Sequence, residues 1–104
     1  MAGGIFIPRK EETMILKVQR KPTEAGVELQ FNYDNPGLEF LVKNFSNGDI
    51  YVGFEPGGGK SSMPLIPSET AQIISSMTVQ GCSTVYVVPD ETSDKGVEVQ
   101  CLRW

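Results

Sequence analysis

The sequence contains one tripeptide that invites a phosphate-binding interpretation, Gly59-Lys60-Ser61. A phosphate loop needs a glycine five positions before its Gly-Lys-Ser, and that position is Phe54; Gly53 stands one residue too early. Such a loop must also open a helix whose first amides hold the phosphates. Here Ser62-Met63-Pro64-Leu65-Ile66-Pro67 follows, and two prolines so close together forbid a useful helix. The tripeptide therefore reads as a hairpin tip. A second candidate, Asp90-Glu91-Thr92-Ser93-Asp94-Lys95-Gly96, offers oxygens to a hard cation. It lacks the alternating ladder and distant glutamate of a calcium loop, and Lys95 opposes the accumulation of negative charge. It reads as a solvated turn.

Histidine is absent, which removes Ser-His-Asp and Cys-His catalysis and every imidazole metal ligand. Adjacent carboxylates such as Glu11-Glu12 and Asp90-Glu91 point to opposite faces of a strand and make no acid/base pair. Cys82 and Cys101 are too few for a metal framework. Cys101, among alternating valines, reads as a small buried hydrophobe, and Cys82, after Gly81, as a more exposed thiol. No enzyme chemistry, cofactor or metal is expected.

The elements that would position these residues are strands. The 104 residues, 39% hydrophobic and 21% charged, suit one domain with its own core. No apolar run approaches the roughly 20 residues of a membrane-spanning helix. Nine basic against thirteen acidic residues leave a net charge of −4, which disfavours general binding to nucleic acid. The first residues lack the basic region and long apolar core of a secretion signal, and Ala2 replaces the glycine needed for myristoylation, so a cytoplasmic site of synthesis and assembly is expected.

Residues 1–13 read as a flexible N-terminal arm: Gly3-Gly4, the apolar Ile5-Phe6-Ile7, Pro8 and a charge cluster. Residues 14–104 read as a single β domain. Alternation of period two runs through Met14–Gln19 and Val27–Tyr33, with turns at Pro22 to Gly26 and at Asp34-Asn35-Pro36-Gly37. Leu38–Ser46 and Asp49–Glu55 flank Asn47-Gly48, the strongest short-range signal of a type I′ hairpin. That pairing predicts a core face of Leu41, Lys43, Phe45, Ile50, Val52 and Phe54. It leaves Phe40, Val42 and Tyr51 on the opposite face. Met63 to Ile66 is a short extended piece. In Thr70 to Ser76 the β-branched residues favour a strand over one or two helical turns. Ser83 to Val88 and Gly96 to Trp104 complete about eight short strands with no 3.6-residue period. The expected fold is an all-β antiparallel sandwich or small barrel.

The stretch from Phe40 through Asn47-Gly48 to Phe54, continuing to Ile66-Pro67-Ser68, and the ending Val97-Glu98-Val99-Gln100 resemble short structural proteins of tailed phages and prophages of Gram-positive bacteria. Those are small all-β chains of the head-fibre-like or minor virion kind. The resemblance implies a capsid- or virion-associated protein that acts by assembly, and it carries over no catalytic or ligand residue. The partners it implies are further copies of the chain and, as a second option, other virion proteins. Apolar surplus points to the contact residues: Ile5, Phe6 and Ile7 of the arm, Phe40, Val42 and Tyr51 of the hairpin's second face, and Trp104, a residue type enriched at interfaces. The competing expectation is a small-ligand or carbohydrate-binding sandwich with Tyr33, Tyr51 and Tyr86 as platforms.

Overall fold

Eight β-strands make up the regular structure of the described residues: β1 (Val18–Thr23), β2 (Leu29–Gly37), β3 (Glu39–Asn44), β4 (Ile50–Gly53), β5 (Leu65–Ile66), β6 (Ala71–Ser75), β7 (Cys82–Pro89) and β8 (Ser93–Arg103). The computed structural model describes residues 18–57, 63–76 and 79–103, and no helix occurs among them. The strands form two antiparallel four-stranded sheets of order β1-β8-β3-β6 and β2-β7-β4-β5. The expected sandwich is therefore the architecture. The sheets pack face to face and, among the described residues, each has two edge strands and no closing ladder joins them, so the barrel alternative does not apply.

Six of the seven connections pass from one sheet to the other; only β4 to β5 stays within a sheet. Four of these crossings, β1 to β2, β3 to β4, β5 to β6 and β7 to β8, join strands at matching positions of the two sheets; β2 to β3 and β6 to β7 change position as well as sheet. This order is that of a jelly roll, two Greek keys wrapped around one core.

Period-two alternation selects the core. Phe40, Val42, Val97 and Val99 of the first sheet and Phe31, Ile50, Val52, Val85 and Val87 of the second are all essentially fully buried. Each such side chain contributes about 1.5–3 kcal/mol by leaving water. Tyr33 and Phe54 bracket Phe40, with ring centroids 5.5 and 5.8 Å away and tilted planes, an arrangement aromatic rings prefer. Burial holds the Tyr33 hydroxyl well above the usual phenol range, and its O–H donates to the Val99 carbonyl at 2.8 Å.

The expected hairpin is not formed. β3 and β4 lie in different sheets, and the chain arches between them. Neither Asn47 nor Gly48 takes the positive φ that a type I′ turn requires. Asn44 redirects the chain instead. Its buried amide donates to the Gly48 carbonyl at 2.8 Å and the Ile66 carbonyl at 3.0 Å. Its oxygen accepts from the Ser46 N–H at 2.9 Å and the Ser46 hydroxyl at 2.6 Å. Four hydrogen bonds from one side chain hold the arch where a turn ladder would have been.

The change of partner reverses the face assignment in β3. Phe40 and Val42 point inward, whereas Leu41, Lys43 and Phe45 lie outside the core. In β4 the expected inward pair, Ile50 and Val52, is correct.

Two segments expected to be turns are strand with irregular register. Asp34 to Pro36 swells out of the β2–β7 ladder between Asn32↔Thr84 and Gly37↔Cys82, since Pro36 has no N–H to give. Ser93 to Gly96 belongs to β8 and bulges against Pro22 of β1. Gly96 makes that bulge possible. Its φ is +66°, and a Cβ there would lie 1.9 Å from the Lys21 carbonyl oxygen.

Candidate interaction surface

The outer face of the first sheet carries apolar side chains where an ordinary sandwich is polar. Residues alternate with the core positions, so register gives the rows directly. Val18, Gln100, Leu41 and Ile73 form one row across β1, β8, β3 and β6. Arg20, Glu98, Lys43 and Ala71 form the next. Ile73 is 56% exposed, Val18 and Leu102 about two-fifths, and Leu41 is half-buried. An outward face normally carries polar groups, so a row in which Gln100 is the one polar member among Val18, Leu41 and Ile73 is informative.

The second row is ionic. Glu98 accepts from Arg20 Nη2 at 2.7 Å, and Lys43 Nζ lies 3.4 Å from its other oxygen. The Arg20 guanidinium also sits 5.4 Å above the Phe45 ring. Glu98 points away from the core yet is only 8% exposed, because its neighbours' side chains lie over it. The Arg20 hydrogen bond holds its carboxyl below the ordinary glutamate range; partial burial opposes this, and Lys43 adds to it.

The four sheet edges differ. β1 carries Arg20, Lys21 and Pro22. On β2, the carbonyls of Gln30 and Asn32 are occupied by Lys21 Nζ and Gln19 Nε2, each at 2.5 Å. β5 is two residues long and lies between Pro64 and Pro67. β6, Ala-Gln-Ile-Ile-Ser, has no charge, proline or glycine.

Those of the residues singled out in the sequence that the structure describes are not brought together on one surface. Ile5, Phe6, Ile7 and Trp104 lie outside the described residues, as do the Gly59-Lys60-Ser61 tripeptide and Met14–Lys17 of the first expected strand. Phe40 and Val42 do not form an outer face: both are fully buried between the sheets. Tyr51 is half-buried on the outer face of the other sheet, in a row with Val88 and Leu65. Of the three tyrosines considered as ligand platforms, Tyr33 is core, while Tyr51 and Tyr86 remain outward. The surface residues Leu41 and Ile73 escaped notice because the hairpin placed Leu41 inside. Lys43 was the available signal, since an inward β3 face would have buried its charge.

Among the described residues, no three of His, Cys, Asp and Glu converge as metal ligands. Cys82 and Cys101 are both thiols, the first partly exposed and the second buried. Burial, then Glu55, pushes the Cys82 thiol up, so it stays protonated at neutral pH. Comparison with protein-family models, with curated proteins and with solved structures gives no match.

Proposed function

We propose that this chain is a non-enzymatic structural subunit of a phage or prophage virion that works by association with copies of itself. The observation that carries the reading is the outward apolar row Val18, Leu41 and Ile73, with Leu102 beside it, on an antiparallel sheet whose other face already fills the core. Apolar surface of this kind, rimmed by charge, marks contact with another protein. The strand order supports the same class, since jelly rolls build many viral capsid domains, although lectins and cupins share the architecture and fold alone does not decide function. The resemblance of the Phe40–Phe54 stretch to short phage structural chains adds to it.

Two measurements test the reading. Sedimentation equilibrium on the full chain is expected to give a multiple of the monomer mass; a monomer at high micromolar concentration overturns assembly. Peptide mass spectrometry of purified particles induced from the bacterium carrying the sequence is expected to find the chain. Its absence from intact particles overturns the virion assignment.

A further inference from the structure

We infer that the copies meet along the open edge of β6, strand against strand, about a two-fold axis passing through Ile73. The inference rests on the assembly reading and specifies where its contact lies.

Exposed strand edges template pairing with other chains, and proteins block them with charge, proline, bulges or covering groups. Three edges here are blocked: β1 by charges and Pro22, β2 by side chains on its carbonyls and by its bulge, and β5 by brevity and flanking prolines. Among the described residues β6 has none of these devices, and its central Ile73 is 56% exposed.

Backbone alternation shows which groups are on offer. The Asn44 N–H donates to the Thr70 carbonyl at 2.8 Å, and the Ser76 N–H donates to the Leu38 carbonyl at 2.9 Å. Both pairs continue the β3–β6 register at its two ends. Residues 70, 72, 74 and 76 therefore turn their backbone groups toward β3, and Ala71, Ile73 and Ser75 turn theirs to the open edge. Ile73 is the middle residue of the strand. A second copy placed antiparallel about Ile73 sets Ile73 opposite Ile73, and Ala71 opposite Ser75 twice. All three residues then exchange both backbone hydrogen bonds with their partners.

The side chains agree with that register. The apolar row ends at Ile73 in one copy and resumes at Ile73 in the next, so Leu41 and Ile73 become one band over the four central strands of an eight-stranded sheet. In the ionic row, Lys43 is followed by Ala71, then by Ser75 and Glu39 of the second copy. Lys43 and Glu39 of opposite copies stand three strand spacings apart, about 14 Å between Cα atoms, with only small side chains between them. Two extended side chains cross most of that distance. The contact thus sets opposite charges on the same row twice, beside the Lys43–Glu98 pair of each copy, in a molecule whose net charge of −4 would otherwise oppose self-association.

The test uses the full chain. I73K and I73E each place like charges on the axis and are expected to abolish the paired species in sedimentation equilibrium. An equimolar mixture is expected to restore it, because the substituted side chains then stand opposite as an ion pair. In a Cys82→Ser background, mild oxidation of I73C is expected to cross-link two chains, the Cα separation of about 5.5 Å in such a pair being suited to a disulfide. S75C is expected not to self-cross-link, since its two copies would stand about 13 Å apart along the strands. Unchanged mass in both charge variants while the unsubstituted chain is oligomeric overturns the β6 contact and leaves assembly standing. A monomeric unsubstituted chain overturns both, and protection of its Ile73 amide from hydrogen exchange would assign the edge to a segment of the same chain.

Discussion

Arg20 of β1 and Glu98 of β8 are register partners whose side chains meet at 2.7 Å on the outer face of the first sheet. Arg20 is largely exposed and Glu98 largely covered, so the pair joins a surface cation to a shielded carboxylate. The geometry has a consequence for acid stability. The Arg20 hydrogen bond, ahead of the Lys43 contribution, holds the folded carboxyl below its unfolded value. The stabilisation is then complete above the unfolded value of about 4.3 and is lost as pH falls through the lower folded value. Denaturant midpoints between neutral pH and the acid limb are expected to fall less steeply for E98Q than for the unsubstituted chain. Identical acid limbs would refute the pairing.

Asn44 and Asn47 give a test of the arch. N44A deletes four hydrogen bonds and leaves the buried Ser46 hydroxyl with the Gly48 carbonyl alone, and is expected to cost roughly 2–4 kcal/mol. N47A, at an exposed position without positive φ, is expected to lie within about 0.5 kcal/mol of zero. A hairpin turning on Asn47-Gly48 would reverse that order. Urea unfolding of the two variants distinguishes the two arrangements.

Phe40 is buried among Tyr33, Phe54 and the valines, and F40A is expected to cost about 3–5 kcal/mol. F54A removes a ring packed on the same cluster but only partly buried, so its loss is expected to be smaller. L41A, on the outer face, is expected to be smaller still in an isolated subunit. Equal losses at positions 40 and 41 in guanidinium melts would contradict the inward and outward assignment.

Two glycines with similar φ angles separate conformational strain from steric collision. Gly26 has φ +76° and open space where a Cβ would stand; Gly96 has φ +66° and the Lys21 carbonyl there. G26A is expected to cost about 1 kcal/mol from the backbone angle. G96A is expected to cost clearly more, because the β1–β8 bulge must move as well. Thermal melts giving G26A as the worse variant would refute the bulge geometry.

Strand positions were legible in the sequence because alternation is a local property, and Val27–Tyr33 or Ser83–Val88 needs no partner to be recognised. Partner choice was not. Asn47-Gly48 is a sound hairpin signal by local chemistry, but the Asn44 side chain, three residues earlier, overrides it with contacts reaching as far as Ile66. Once the hairpin was assumed, register carried the error to Phe40, Val42 and Leu41, since a strand with the wrong partner can present its faces inverted. The outer-face row was illegible for a related reason. Val18, Gln100, Leu41 and Ile73 come from four strands scattered along the chain, and only the sheet order makes them neighbours. The lack of a local acid/base or metal motif needed no topology, being a matter of residue type and spacing.

The crossings between sheets also set the order in which the fold can be acquired. β8 is the last of the eight strands along the chain, yet it is central in the first sheet, between β1 and β3. β7 holds the matching place between β2 and β4. During synthesis, β1 and β2 therefore emerge without their only sheet partners, β3 and β4 without one of their two, and the β1–β8 ladder closes a loop from Val18 to Gln100. Such non-local topology slows folding to the millisecond-to-second range and leaves the nascent chain exposed to aggregation. Truncation just before β7 would remove the middle of both sheets at once, leaving two separated outer pieces in place of a smaller version of the same domain.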